Sequence, residues 1–450
     1  MISYGSAFAT SIYQTKLEIS PPLRGTFSGG VPVEAKDPET SGTISPLGGS
    51  PLKKTPFGCR NLSGSLAGSV ETVRRAFLDR FASFGYRPFA SSGLQLLEEA
   101  YDVLPPSLRT RLLPLASPGG EPCVLRADIT LAAIGHLSSR HAPEERPLRL
   151  AYADRIYSVP VPPEERAERF QVGAELLGWE GEGADAEVIY LLLSTLDELG
   201  LTDSLVVLGD ASLLSRCLSG LPSPLARSLS DSLRRGDLVG YGEALKDRRL
   251  PEEARTALSA LPWTRGAPES VAENRGALRP EALLGIAETL KRLGYGDRIR
   301  IDLGLCRELD YYSGPIFEVY ASPAGPALGG GGRYDGLLER LGLMGQAVGF
   351  ALDLALLADS LPRERGGERT VLLAGGLPSE EVLRLAERIT RAGTPLEISW
   401  REDRASSLEW ARLRGAHRVV DPVGGRVRSL SGGREEGLED WIAGLAGGTW

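Results

Sequence analysis

Between residues 307 and 320 the chain reads Arg-Glu-Leu-Asp-Tyr-Tyr-Ser-Gly-Pro-Ile-Phe-Glu-Val-Tyr, and four glycines follow at 329–332, closed by Arg333, Tyr334, Asp335 and Gly336. β-Branched and aromatic residues dominate from Tyr311 onward, so this stretch is expected to be a strand. Side chains at every second position share a face, which groups Tyr312, Gly314, Ile316, Glu318 and Tyr320. A glycine beside a tyrosine leaves a gap there for a ligand or another backbone. Residue pattern alone favours the plainer alternative, a sheet strand with a glycine bulge.

At 450 residues, 42% hydrophobic and 24% charged, the chain has material for a globular protein of two or three domains. A net charge of -8 argues against a generally basic nucleic-acid surface. Four cysteines, at 59, 123, 217 and 306, are too scattered for a metal knuckle or a disulfide framework, and three histidines leave few metal ligands. No apolar run approaches the roughly 20 residues that span a bilayer. The N-terminus lacks the layout of a signal peptide, so the cytoplasm is the expected compartment.

Residues 1 to 55 are rich in Gly, Pro, Ser and Thr without periodicity, and are expected to be a flexible extension. An amphipathic helix follows, with Val70, Val73, Phe77, Phe81 and Phe84 on its stripe and Gly85 as its stop. The segment 86–90 is expected as a short edge strand, since Pro88 breaks it. In Cys123-Val-Leu-Arg-Ala-Asp-Ile-Thr130 a strand turns into a helix that Asp128 or Thr130 can cap. Arg126 and Asp128 could hold the charged ends of an amino acid, or make a local salt bridge and a cap. Strands are expected at 148–153, 205–208 and 298–303, a covering helix at 185–199, and a helical insertion over about 202–300. A charged linker at 361–369 leads to alternating strands and helices, a small parallel α/β domain over 369–450, with Ser379 capping its first helix.

If Gln171-Val-Gly-Ala-Glu175 is a strand, Gln171, Gly173 and Glu175 lie on one face. An amide and a carboxylate would then flank a gap left by glycine, which suits a small polar cation. A buried carboxylate must be paired. Its partner is either a structural arginine or a ligand's ammonium or imidazolium.

Taken in order, Gln171-Val-Gly-Ala-Glu, Leu309-Asp-Tyr-Tyr, Gly331-Gly-Arg-Tyr-Asp-Gly-Leu and Ala347-Val-Gly-Phe-Ala resemble the pocket and core motifs of the histidine-specific class II aminoacyl-tRNA synthetases. The resemblance covers about residues 56 to 450. It implies an α+β fold: a six-stranded antiparallel sheet flanked by helices in a core at 56–360, a dimer, and a C-terminal α/β domain that in true synthetases reads the anticodon.

Departures from those motifs bear on function. Ligases of this class hold ATP and the adenylate with two arginines, because phosphate charge is met by guanidinium forks. Where the second motif has its arginine, this chain reads Ile156-Tyr-Ser-Val-Pro, with Ser158 or a neighbour in its place, and Leu356 replaces the arginine of the third motif, Gly-Phe-Ala-x-Gly-Leu-x-Arg. Losing even one transition-state charge partner costs about 3 kcal/mol. No useful adenylation is expected. Glu308 stands where glycine is usual, Ser92 where proline is, and Gln95 where an acid would bind the ammonium.

A synthetase-like chain with a pocket but no ATP clamp resembles the regulatory subunits of ATP phosphoribosyltransferase, and Leu125-Arg-Ala-Asp-Ile-Thr130 fits that family better. The resemblance implies no chemistry and no cofactor of its own. It implies assembly with a short catalytic subunit for the first step of histidine biosynthesis, feedback inhibition by histidine, and a homodimer within a hetero-oligomer, with no tRNA and no membrane. Carried over by position, Glu175 and Tyr312 would face the imidazole, Gln171 the ammonium and Arg307 the carboxylate. Asp128, Thr130, Tyr311 and Tyr334 would complete the pocket. An active histidyl-tRNA ligase and a free-standing histidine-binding paralogue are the alternatives.

Overall fold

The computed structural model describes residues 55–446 apart from 141–146, 163, 277, 308–310, 322–324, 344, 362–368 and 431. Save Thr55, the expected N-terminal extension lies outside the described residues, as do Glu308 and most of the linker.

Val70, Val73, Phe77 and Phe81 form the buried face of the helix Gly64–Ser83. Phe84, expected on the same stripe, falls past the helix end and is 42% exposed. Gly85 follows with φ 81°, a left-handed turn that glycine takes without strain. The Phe81 ring lies 5.5 Å from Phe350 and meets Tyr86 edge-on at 5.0 Å, which fastens the helix to the sheet beneath it. Each buried aromatic of this kind contributes roughly 1.5–3 kcal/mol.

The strands, in chain order, begin with β1 (Arg87–Pro88), the short edge expected from Pro88. A small sheet of β2 (Leu94–Leu96), β3 (Pro114–Ala116) and β4 (Pro122–Leu125) follows, in the order β2-β4-β3. The main sheet continues with β5 (Leu148–Tyr157), β6 (Glu168–Leu177), β7 (Leu205–Asp210), β8 (Arg265–Gly266), β9 (Ile299–Asp302), β10 (Pro315–Tyr320), β11 (Gly329–Arg333) and β12 (Ala347–Asp353). Its order is β1-β5-β6-β12-β11-β10-β7-β9-β8. From β5 through to β7 every neighbouring pair is antiparallel, so six antiparallel strands form its centre. The α+β architecture expected from the resemblance is therefore present.

β7 pairs with β10 along its whole length, although it falls inside the stretch expected as a helical insertion. Its apolar residues Val206 and Leu208 are fully buried, and such a run belongs in a sheet covered on both faces. β10 begins at Pro315, not Tyr311, so Tyr311 and Tyr312 precede the strand and escape its alternation. The helix Glu182–Glu198 is buried nearly all round, packed between the sheet, the helix Gly64–Ser83 and the helix Glu281–Arg292.

The C-terminal sheet contains β13 (Thr370–Leu373), β14 (Leu396–Ser399), β15 (Arg418–Asp421), β16 (Arg426–Ser429) and β17 (Glu435–Gly437), ordered β14-β13-β15-β16-β17. The first three are parallel, as expected, but β16 and β17 are antiparallel. Those two are short and charged, without the apolar run that marks a buried strand. Pro378, not Ser379, occupies the N-cap position of the helix Ser379–Arg391.

Glycines of the central strands make room for particular side chains. Gly173 lies opposite Tyr152, and a Cβ there would strike the Tyr152 ring and the Phe350 carbonyl. The gap expected beside Gln171 and Glu175 is thus filled by the protein's own tyrosine. Gly349 lies opposite Glu175, where a Cβ would collide with the carboxyl, and Gly330 likewise accommodates the Arg307 guanidinium. A Cβ on Gly314 would lie 3.3 Å from the Arg333 side chain.

Candidate ligand-binding site

A cavity of about 670 Å³ opens above β6, β11 and β12, a volume typical of small-molecule sites. Seven of the eight residues expected to bind histidine line it: Asp128, Thr130, Gln171, Arg307, Tyr311, Tyr312 and Tyr334. The eighth, Glu175, lies one layer beneath, 1% exposed, and is reached through hydroxyl groups. Thr130 donates to Glu175 Oε1 at 2.6 Å, Tyr334 donates to Oε2, and the Tyr152 hydroxyl lies 3.4 Å from Oε1. Burial pushes the Glu175 carboxyl up to about 8, against the lowering effect of the Thr130 and Tyr334 hydroxyls. At neutral pH this group is largely protonated.

Asp128 caps the helix Ile129–Arg140, accepting from the Leu131 N–H at 2.8 Å. Burial raises its carboxyl as well. Its neighbour Arg126 is structural: 2% exposed, it pairs with Asp154 at 2.7 Å and donates to the Arg155 carbonyl. Gln95 donates to the Asp128 carbonyl at 3.3 Å, while its own Oε1 is buried without a partner. Gln171 stands on the cavity face of β6.

The opposite wall is aromatic and basic. Tyr311 packs 4.9 Å from Tyr312 and edge-on to Tyr334. Arg307 lies 5.8 Å over the Tyr312 ring, donates to the Phe317 carbonyl at 3.1 Å and pairs with Glu318 at 3.5 Å. Its Nε is buried without a hydrogen-bond partner.

At the far end the ATP clamp of a ligase is replaced. Leu356 lines the cavity where the third motif has arginine, and Ser158, 2% exposed, lies near Arg111 at 3.4 Å. Asp353, at the second glycine of that motif, caps the helix Leu354–Ser360 through the Ala355 and Leu356 N–H groups. It also pairs with Arg166 at 2.6 Å, and Arg166 pairs with Glu164 at 3.0 Å.

Arg333, in the glycine-rich motif, belongs to the scaffold. It is 7% exposed, pairs with buried Asp185 at 3.0 Å, and donates to Gln346 and the Gly181 carbonyl. The helix bearing Asp185 thus does more than cover the sheet. Sequence reasoning missed Tyr152 and Arg169 as lining residues. Arg169 was within reach, because it continues the period-two series of Gln171, Gly173 and Glu175.

Comparison with known proteins places this geometry. Residues 58–357 match the family model described as histidyl-tRNA synthetase. A relative from Rubrobacter xylanophilus, an ATP phosphoribosyltransferase regulatory subunit, is 31% identical over 79% of this chain and 88% of its own length. The chain belongs to the family of ATP phosphoribosyltransferase regulatory subunits. Another member, from Anaeromyxobacter dehalogenans, is 33% identical over 70% of this chain and 93% of its own. The crystal structure of an ATP phosphoribosyltransferase regulatory subunit/histidyl-tRNA synthetase from Bacillus halodurans superposes with a TM-score of 0.72 at 27% identity, covering 82% of this chain and 98% of that one. A histidyl-tRNA synthetase from Nostoc shares the fold, with a TM-score of 0.68 at 16% identity. Within this family the chain is a regulatory subunit and not an active aminoacyl-tRNA ligase. Among the described residues no helix is long and apolar enough to cross a membrane.

Proposed function

We propose that this regulatory subunit serves a separate, short ATP phosphoribosyltransferase catalytic subunit in histidine biosynthesis, and that its cavity binds histidine as the feedback effector. One observation carries the reading. The end of the cavity suited to an amino acid is built, whereas at the other end Leu356 and an Asp353–Arg166–Glu164 chain stand where a ligase of this class would carry the arginine of its third motif. In this reading the ligand's carboxylate meets the unpartnered Nε of Arg307, and its ammonium meets Asp128 and the Gln171 amide. The imidazole then reaches the Glu175 carboxyl through the hydroxyls of Thr130 and Tyr334.

Histidine shifts an assembly equilibrium only by its differential affinity for the two states. Co-expression with a short-form catalytic subunit tests the partner: a stable complex with histidine-sensitive activity is expected. A complex that forms but is indifferent to histidine would place the effector elsewhere. Absence of any complex would point to a free-standing histidine-binding protein. Histidine-dependent ATP–pyrophosphate exchange by the chain alone would overturn the regulatory reading.

A further inference from the structure

Four arginines line the cavity, and of the three that are partly buried one has nothing to hold. Arg169 sits on β6 two residues before Gln171, on the same face, opposite Ile156 of β5, which also lines the cavity. It is half-buried, and among the described residues its side chain makes no ion pair and no hydrogen bond. Each other lining arginine is accounted for differently: Arg166 is bracketed by Glu164 and Asp353, Arg307 pairs with Glu318, and Arg60 stands exposed at the rim. The carboxylates nearest Arg169 are committed. Glu164 and Asp353 serve Arg166, and Asp128 caps its helix without coming into ion-pair contact with Arg169. Arg111, a further positive neighbour, donates to the Val159 carbonyl at 3.0 Å. A guanidinium carries five N–H donors in a planar fork, and removing it from water without a partner is unfavourable.

We propose that Arg169 forms an oxyanion-binding subsite at the end of the cavity away from Glu175, for the phosphate or carboxylate of a ligand beyond the amino-acid pocket. Burial lowers the Arg169 pKa, helped by Arg111 and Arg166 and opposed by the more distant charges of Glu164 and Asp353, neither of which is in ion-pair contact with it. The cavity has room for it, since 670 Å³ lies well within the range that holds drug-sized molecules, considerably larger than one amino acid. The subsite rests on Arg169 and its own surroundings, and stands whether or not histidine fills the other end. Only joint occupancy rests on the function proposed above.

Calorimetric titration of the full-length chain tests it, with inorganic phosphate, pyrophosphate and acetate as separate probes, at low and high salt. At least one probe is expected to bind at low salt and weaken as salt rises. Arg169→Ala and Arg169→Gln should each lose at least ten-fold in affinity, and Arg169→Lys should retain part of it. Preference for phosphate or pyrophosphate over acetate would identify a phosphorylated ligand; the reverse would identify a carboxylate. Circular dichroism establishes that each variant is folded, and Gln, which keeps length and polarity, serves should Ala not fold. No binding of any probe, or equal binding by the Gln variant, would overturn the subsite. Histidine titrated alone gives the independent result: its failure to bind wild-type protein would refute the histidine pocket and leave the anion measurement standing.

Discussion

Replacing Glu175 by Gln should flatten the pH dependence of stability between about pH 5 and 8. The Glu175 carboxyl is raised by burial from its ordinary 4.5 to about 8 in the folded protein. The folded state therefore holds a proton that the unfolded chain has released throughout this window, so folding becomes less favourable as pH rises. The full displacement corresponds to roughly 5 kcal/mol, absent below the unfolded pKa, growing as pH rises, and constant above the folded one. Gln is neutral at every pH and close to isosteric, so it removes this penalty. It exchanges one hydrogen-bonding pattern for another around Thr130 and Tyr334, at a cost of about 1–3 kcal/mol if one buried hydroxyl loses its partner. Urea denaturation of both proteins at pH 5, 6, 7 and 8 reads the difference. The variant should be less stable than wild type at pH 5 and should regain ground steadily by pH 8. Parallel profiles across the range would refute the claim that Glu175 is held protonated in the fold.

Three further outcomes are expected. Binding of a cationic ring at the Glu175 end should release protons near pH 7, because a nearby positive charge favours the carboxylate; histidine calorimetry in buffers of different ionisation enthalpy measures this. Asp185→Ala should destabilise the core by about 3 kcal/mol by leaving the buried Arg333 guanidinium with only Asp335, at 3.6 Å, as its counter-charge, read as a drop in the denaturation midpoint. Leu356→Arg should fail to restore ATP–pyrophosphate exchange, since Ser158 would still stand where the second motif carries its arginine.

The Gln171–Glu175 end of the cavity was legible because those residues lie on a strand, where alternation assigns faces: Gln171 and Glu175 were grouped from spacing alone. The same rule misled at Tyr311 and Tyr312, which precede β10 and both reach the cavity. Gly173 was read as space for a ligand, and it is space for Tyr152; a sequence shows a missing side chain but not which neighbour from another strand fills the vacancy. Leu356 and Ser158 were identified by motif position. The acid–arginine chain of Glu164, Arg166 and Asp353 joins residues up to 187 apart, and no local pattern predicts such a pairing. β7 was detected as a strand, but its place at the centre of the sheet depends on pairing with β10, more than a hundred residues away in the chain.

The glycines under Tyr152, Glu175 and Arg307 have a consequence for how this chain tolerates mutation. Any side chain at Gly173, Gly330 or Gly349 would collide with backbone as well as with a pocket residue, so packing and recognition fail together at these positions. A library of variants selected only for being folded should therefore keep all three glycines, while Gln171 and Arg169 vary freely. The floor of the cavity would persist under selection for folding alone, and the residues that vary above it are the ones free to acquire a new ligand.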